Sequence, residues 1–171
     1  MSSPLVNRVA ESGIITLDLE AFYPDQSPVP FDLKDHLFMG LILKEKEFRQ
    51  SLKELDLSPF RDRIAAVWCS ADAIIPVWAY MLVASVLQPV AQVVYVGNPD
   101  QATQKELIRK LRSLNPADYT DKRVVVKGCG DKPVSEEAYL EITALLRPYA
   151  KSIMYGEPCS TVPVYKKSGG A

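Results

Sequence analysis

The chain has 171 residues, enough to bury a sizeable core without staples, and the expected organisation is one α/β domain over 1–167 with a disordered tail at 168–171. Lys and Arg number 20 against 21 Asp and Glu, so a net charge of −1 offers no field for nucleic acid or an anionic membrane. The opening MSSPLVNRVAESG has neither the charged start nor the continuous apolar segment of a signal peptide. The longest apolar run, from Ala73 to Leu87, contains Pro76 and falls short of the roughly 18–20 residues of a membrane span. A soluble cytoplasmic protein is expected.

Leu5, Val6, Val9 and Ala10 have helical spacing before Gly13, which predicts a short entry helix. Ile14 to Glu20 passes from a β-branched run into alternation and predicts a strand with one exposed face. Pro24, Pro28 and Pro30 cannot donate to a ladder, so Tyr23 to Pro30 reads as an extended loop. Between Asp32 and Leu55 two helical pieces are expected on either side of Gly40, one striped by Leu33, Leu37 and Leu41, the other by Phe48, Leu52 and Leu55. His36, beside Asp35, reads as a solvated surface histidine, and Lys44 and Lys46 as a solvated face.

Ile64 to Trp68 is apolar and rich in β-branched and aromatic residues, a buried strand that ends at Cys69. Asp72 reads as the cap of the following helix, with Pro76 in its first turn. Val77 to Leu87 is apolar on every side, which predicts a core helix; Trp68, Trp78 and Tyr80 belong to the same expected core. The unit then repeats. Gln92 to Val96 is a strand, Gly97 to Asp100 a turn, and Leu107, Ile108, Leu111 and Leu114 stripe a helix, with Thr103 and Glu106 in the form of a capping box. Arg123 to Lys127 is a strand, Ser135 caps a helix carrying Tyr139, Ile142, Leu145 and Leu146, Ser152 to Tyr155 is a strand, and Val162 to Lys167 closes the ordered chain.

This alternation predicts an α/β fold: a mostly parallel or mixed sheet of about five strands with helices on both faces. Residues that follow parallel strands share one edge, where open sheets bind ligands, and Cys69, Cys129 and Cys159 all follow predicted strands. Three thiols in an odd, widely spaced set do not make a disulfide framework. As small hydrophobes they would need no function, yet Cys129 sits between two glycines and Cys159 between Pro158 and Ser160, which is loop chemistry. The expectation is therefore a metal site on Cys69, Cys129 and Cys159 with Asp72 as fourth ligand, selecting zinc or an iron–sulfur cluster, and with Lys127 and Lys132 offsetting its negative charge. Either Cys69 or Cys129, each preceding a helix, would also serve as a low-pKa redox or sulfur-accepting thiol. Local thiol motifs such as C-x-x-C are absent, and GCGDKP lacks the GK[ST] ending of a phosphate loop.

WCSADAIIPVWAYMLVAS, VVVKGCGDKPV, GEPCSTVPVYKK and FDLKDHLFMGLILKEKEFR together resemble an uncharacterised bacterial family, domain of unknown function 2480, from about Leu5 to Lys167. The resemblance implies an association with iron–sulfur assembly proteins and carries over no functional residue. Two functions follow as expectations. One is a metal-binding or sulfur-handling protein. The other is a non-catalytic interaction module acting through a protein partner or as a homo-oligomer, because the 33–43 segment holds more apolar residues than one buried stripe requires.

Overall fold

The computed structural model describes residues 7–8, 13–128 and 130–168. The protein is α/β with mostly parallel strands. Its strands divide between two sheets, and its described residues fall into two compact units, one of residues up to Pro24 together with Glu106 onward, the other Asp25–Lys105.

The first unit holds the sheet β1-β2-β6-β7-β8. Its strands are β1 (Asn7–Arg8), β2 (Ile14–Asp18), β6 (Arg123–Lys127), β7 (Ser152–Glu157) and β8 (Ser160–Lys166). Strands β2, β6 and β7 run parallel, while β1 and β8 are antiparallel edges. Alternate residues Leu17, Val124, Val126 and Ile153 turn one face toward Leu107 and Leu111 of α3 (Pro99–Arg112) and Ile142 and Leu146 of α4 (Glu136–Leu146), all buried. Ser135 caps α4 as predicted. The predicted entry helix at 5–10 lies outside the described residues except Asn7 and Arg8, which pair with β2; residues 169–171 of the predicted tail also lie outside them.

The second unit holds the parallel sheet β3-β4-β5, made of β3 (Val29–Asp32), β4 (Ile64–Trp68) and β5 (Val93–Val96). Ala65 and Val67 face α1 (Glu45–Lys53) and α2 (Val77–Leu87), and Ile64 and Ala66 face Ala102 of α3. The sheet is thus covered on both sides, as a parallel sheet requires.

Four expectations are corrected here. Pro30 does sit in a ladder, opposite Ala66, because β3 is an edge strand and an edge tolerates a missing donor. The first helical piece after Asp32 is one 3-10 turn, Leu33–His36, since the chain reverses at Met39 and Gly40, both with positive φ. Thr103 is not a cap, because α3 starts four residues earlier. Asn98 and Gln101 form the reciprocal box instead, each backbone N–H reaching the other's side-chain oxygen at 2.9 Å. Asp72 is not a cap either: α2 begins at Val77, after a proline that holds Ile75 out of helical conformation, and its N-cap residue Pro76 makes no side-chain bond.

Candidate interaction surface

Helix α2 is built from the sequence VWAYMLVASVL, with no charged residue on any face. An apolar face costs least in a core, so the expected arrangement is burial all round. The helix is fully buried along one stripe only, with Trp78, Tyr80, Leu82 and Val86 partly buried beside it. Ala79, Val83 and Leu87, spaced four apart, are fully buried against β4, Phe48 and Leu52. On another face Val77 and Met81, also four apart, are 75% and 67% exposed, and Ile74 just before the helix is 92% exposed.

The turn after Leu37 adds to this surface. Phe38 N–H donates to the Ile42 carbonyl at 2.7 Å, and Leu41 and Ile42 N–H return to Phe38, closing a tight reversal through Met39 (φ 51°) and Gly40 (φ 71°). Such turns ordinarily use Asn or Asp with Gly, whose short polar side chains tolerate the left-handed region. Here the tip is apolar. Met39 is 80% exposed, Leu41 63%, Ile42 59% and Phe38 44%. Met39 holds this conformation without the short polar side chain that usually accompanies it. Lys44 Nζ lies 3.4 Å from the Phe38 ring centroid and 3.3 Å from Glu47, which ties the turn to the start of α1.

Between the turn and the loop that precedes α2 runs an open groove of about 430 Å³, lined by Leu41, Ile42 and Leu43 and by Asp72, Ala73, Ile74 and Pro76. The loop that forms the second wall is anchored at its start. Ser70 donates from its N–H at 3.0 Å and from its hydroxyl at 2.5 Å to the Asp32 carboxylate, which also accepts from Lys34 N–H. Partial burial pushes the Asp32 carboxyl up, but these hydrogen bonds outweigh it and hold the group below its ordinary value.

The turn side is anchored by His36. It is half-buried rather than solvated, its ring stacked on Phe31 (5.0 Å, 7°) and edge-on to Phe48 at 5.3 Å. Ser51 hydroxyl donates to the Phe48 carbonyl, so His36 Nδ1 carries the hydrogen that bonds Ser51 Oγ at 3.0 Å. Burial lowers the imidazole pKa, with Asp35 and Asp32 opposing it in part.

Of the sequence-predicted ligands, Cys69 and Asp72 belong to the second unit and Cys159 to the first. Cys69 follows β4, half-buried against the core of the second unit, with its thiol toward the Ala71 carbonyl at 3.5 Å. Burial, with Cys69 nearby, pushes the Tyr80 phenol up. Asp72 is exposed on the groove three residues beyond Cys69. Cys159 is exposed in the turn joining β7 to β8, on the other sheet, and Cys129 lies outside the described residues. The edge expected to carry all three thiols assumed one continuous sheet, whereas Cys69 and Cys159 follow strands of two different sheets. Among the described residues no three His, Cys, Asp or Glu side chains group as a metal site would require. Lys127, expected to offset thiolate charge, lies 3.6 Å from Asp18 and 3.4 Å from Glu157.

Sequence reasoning found the apolar excess of 33–43 but missed the groove it shares with Ala73, Ile74 and Pro76 and the exposed side of α2. The available signal was a turn whose every residue from Phe38 to Ile42 is apolar or glycine. No curated protein and no solved structure matches the chain. A family described as "Protein of unknown function (DUF2480)" matches residues 3–167, nearly the whole length, and the chain belongs to that family.

Proposed function

We propose that the chain is a protein-interaction module whose binding face is formed by the 38–42 turn, the groove with Ile74, and the Val77 and Met81 side of α2. The observation that carries this reading is the helix: a segment with no charged residue and two large apolar side chains more than two-thirds exposed is a core helix lacking one side of its core. A protein surface supplies that missing side better than a lipid surface. Interfacial lipid binding draws on a basic rim, whereas Lys44 here is matched by Glu47, and Asp72 stands in the groove wall.

The competing proposal, a zinc or iron–sulfur site on Cys69, Cys129, Cys159 and Asp72 linked to iron–sulfur assembly proteins, rests on the sequence alone. Binding experiments test the interaction reading. Self-association or protein capture by the wild type should be lost in Met81→Asp with the far-UV circular dichroism retained. A wild type that is monomeric at every concentration, and that retains the same proteins as Met81→Asp, would refute it.

A further inference from the structure

We infer that the occupant of this face is a second copy of the chain, related by a two-fold axis; the inference rests on the interaction reading above and names its partner. Shape is the first argument. The face carries a projecting apolar tip and an apolar groove side by side, and Leu41 and Ile42 belong to both. A two-fold operation lays each tip along the other copy's groove, so one set of residues satisfies both copies.

Area is the second argument. Phe38, Met39, Leu41, Ile42, Ile74, Val77 and Met81 are 44%, 80%, 63%, 59%, 92%, 75% and 67% exposed. Together they amount to nearly five bare residues; at roughly 150–200 Å² for a large side chain, that is on the order of 800 Å². A standard interface takes about 800 Å² from each partner, while the largest apolar patch of an ordinary monomer is about 300–600 Å².

Charge is the third. With a net charge of −1 two copies repel one another little, and among the residues that line the groove only Asp72, which is exposed, carries a charge. A basic or acidic protein partner would instead call for a face of one opposing sign.

Sedimentation velocity on the full chain over a wide concentration range tests the inference, with circular dichroism confirming that each variant folds. The wild type should move from monomer to dimer, and Leu41→Asp and Ile74→Lys should each raise the dissociation constant by roughly 100-fold or more, as loss of an interface anchor does. Mixing the two variants should restore a heterodimer, because in a two-fold interface Asp at 41 of one copy meets Lys at 74 of the other while the second such contact stays apolar. A wild type that stays monomeric, a dimer indifferent to both variants, or variants that fail to rescue each other would overturn the two-fold pairing. If the monomeric wild type still captures a different protein, or binds neutral phosphatidylcholine vesicles, through a face sensitive to Met81→Asp, the second copy is excluded. In the protein case the interaction module stands; in the vesicle case it falls as well.

Discussion

Replacing one residue on each face of α2 by alanine separates a helix buried all round from one with a bare side. Val83 is fully buried, and Val83→Ala removes two methyl groups at about 0.8 kcal/mol each; the cavity left behind brings the cost to about 2–3 kcal/mol, less a few tenths for alanine's better helix propensity. Met81 is 67% exposed, so only about a third of the ~1.5–3 kcal/mol of a fully buried side chain is at stake, about 0.5–1 kcal/mol. Urea unfolding at a concentration where the chain is monomeric should therefore give midpoints well apart for the two variants at an unchanged slope. The ranking should narrow once copies associate. Covering the exposed two-thirds of Met81 contributes about 1–2 kcal/mol per copy and about 2–4 kcal/mol per two-fold dimer, a roughly 30- to 1,000-fold change in dissociation constant. If Met81→Ala costs the monomer as much as Val83→Ala, Met81 is covered within the single chain and the reasoning fails.

His36 gives a pH signature. Burial holds its pKa below the ordinary value of about 6.5 in the folded chain, so the unfolded chain takes up the proton first as pH falls; stability is full above that value and declines until pH passes below the folded pKa. The melting temperature of the wild type should fall relative to His36→Gln between pH 7.5 and 5, and parallel curves would refute the assignment. Asn98→Ala removes half of the reciprocal box at the start of α3 and should cost about 1 kcal/mol in urea unfolding, with faster amide exchange at Gln101; unchanged exchange would show that the box does not hold the helix end. For the thiols, the interaction reading expects protein prepared anaerobically to be free of zinc and iron, with Cys159, exposed in the turn joining β7 to β8, open to alkylation. Metal lost on each of Cys69→Ser, Cys129→Ser and Cys159→Ser would instead establish the thiolate site.

Most strands and helices after Ile64 were legible because their signals are local. Ile64–Trp68, Arg123–Lys127 and Ser152–Glu157 are short β-branched or apolar runs bounded by turn residues, and Leu107, Ile108 and Leu111 carry the helical period that buries them. The second stripe of the 32–55 region, Phe48 and Leu52, was read for the same reason. The candidate surface was legible only in part. The surplus of apolar residues near Leu41 was visible, but α2 was assigned to the core because a helix with no charged residue, and with Ser85 as its single hydroxyl-bearing aliphatic position, has too weak a polar period to distinguish a covered face from a bare one.

The amino-acid sequence by itself determined the α/β class and the strand–helix alternation, since these follow from composition and spacing within a few tens of residues; the family followed from likeness over nearly the whole chain. Tertiary structure decided which strand joins which sheet. Strand β6 pairs with β2, more than a hundred residues away, and β4 with β3, so β4 and β6 never share a sheet although one repeated unit generates both. It also decided that Pro30 lies in a ladder, that Asp72 lines a groove instead of capping a helix, and which side of α2 faces out. The physical reason is common to all of these: backbone preference and hydrophobic period act along the chain, whereas strand partnership and burial are set by whichever surface arrives opposite, and no local pattern encodes that surface.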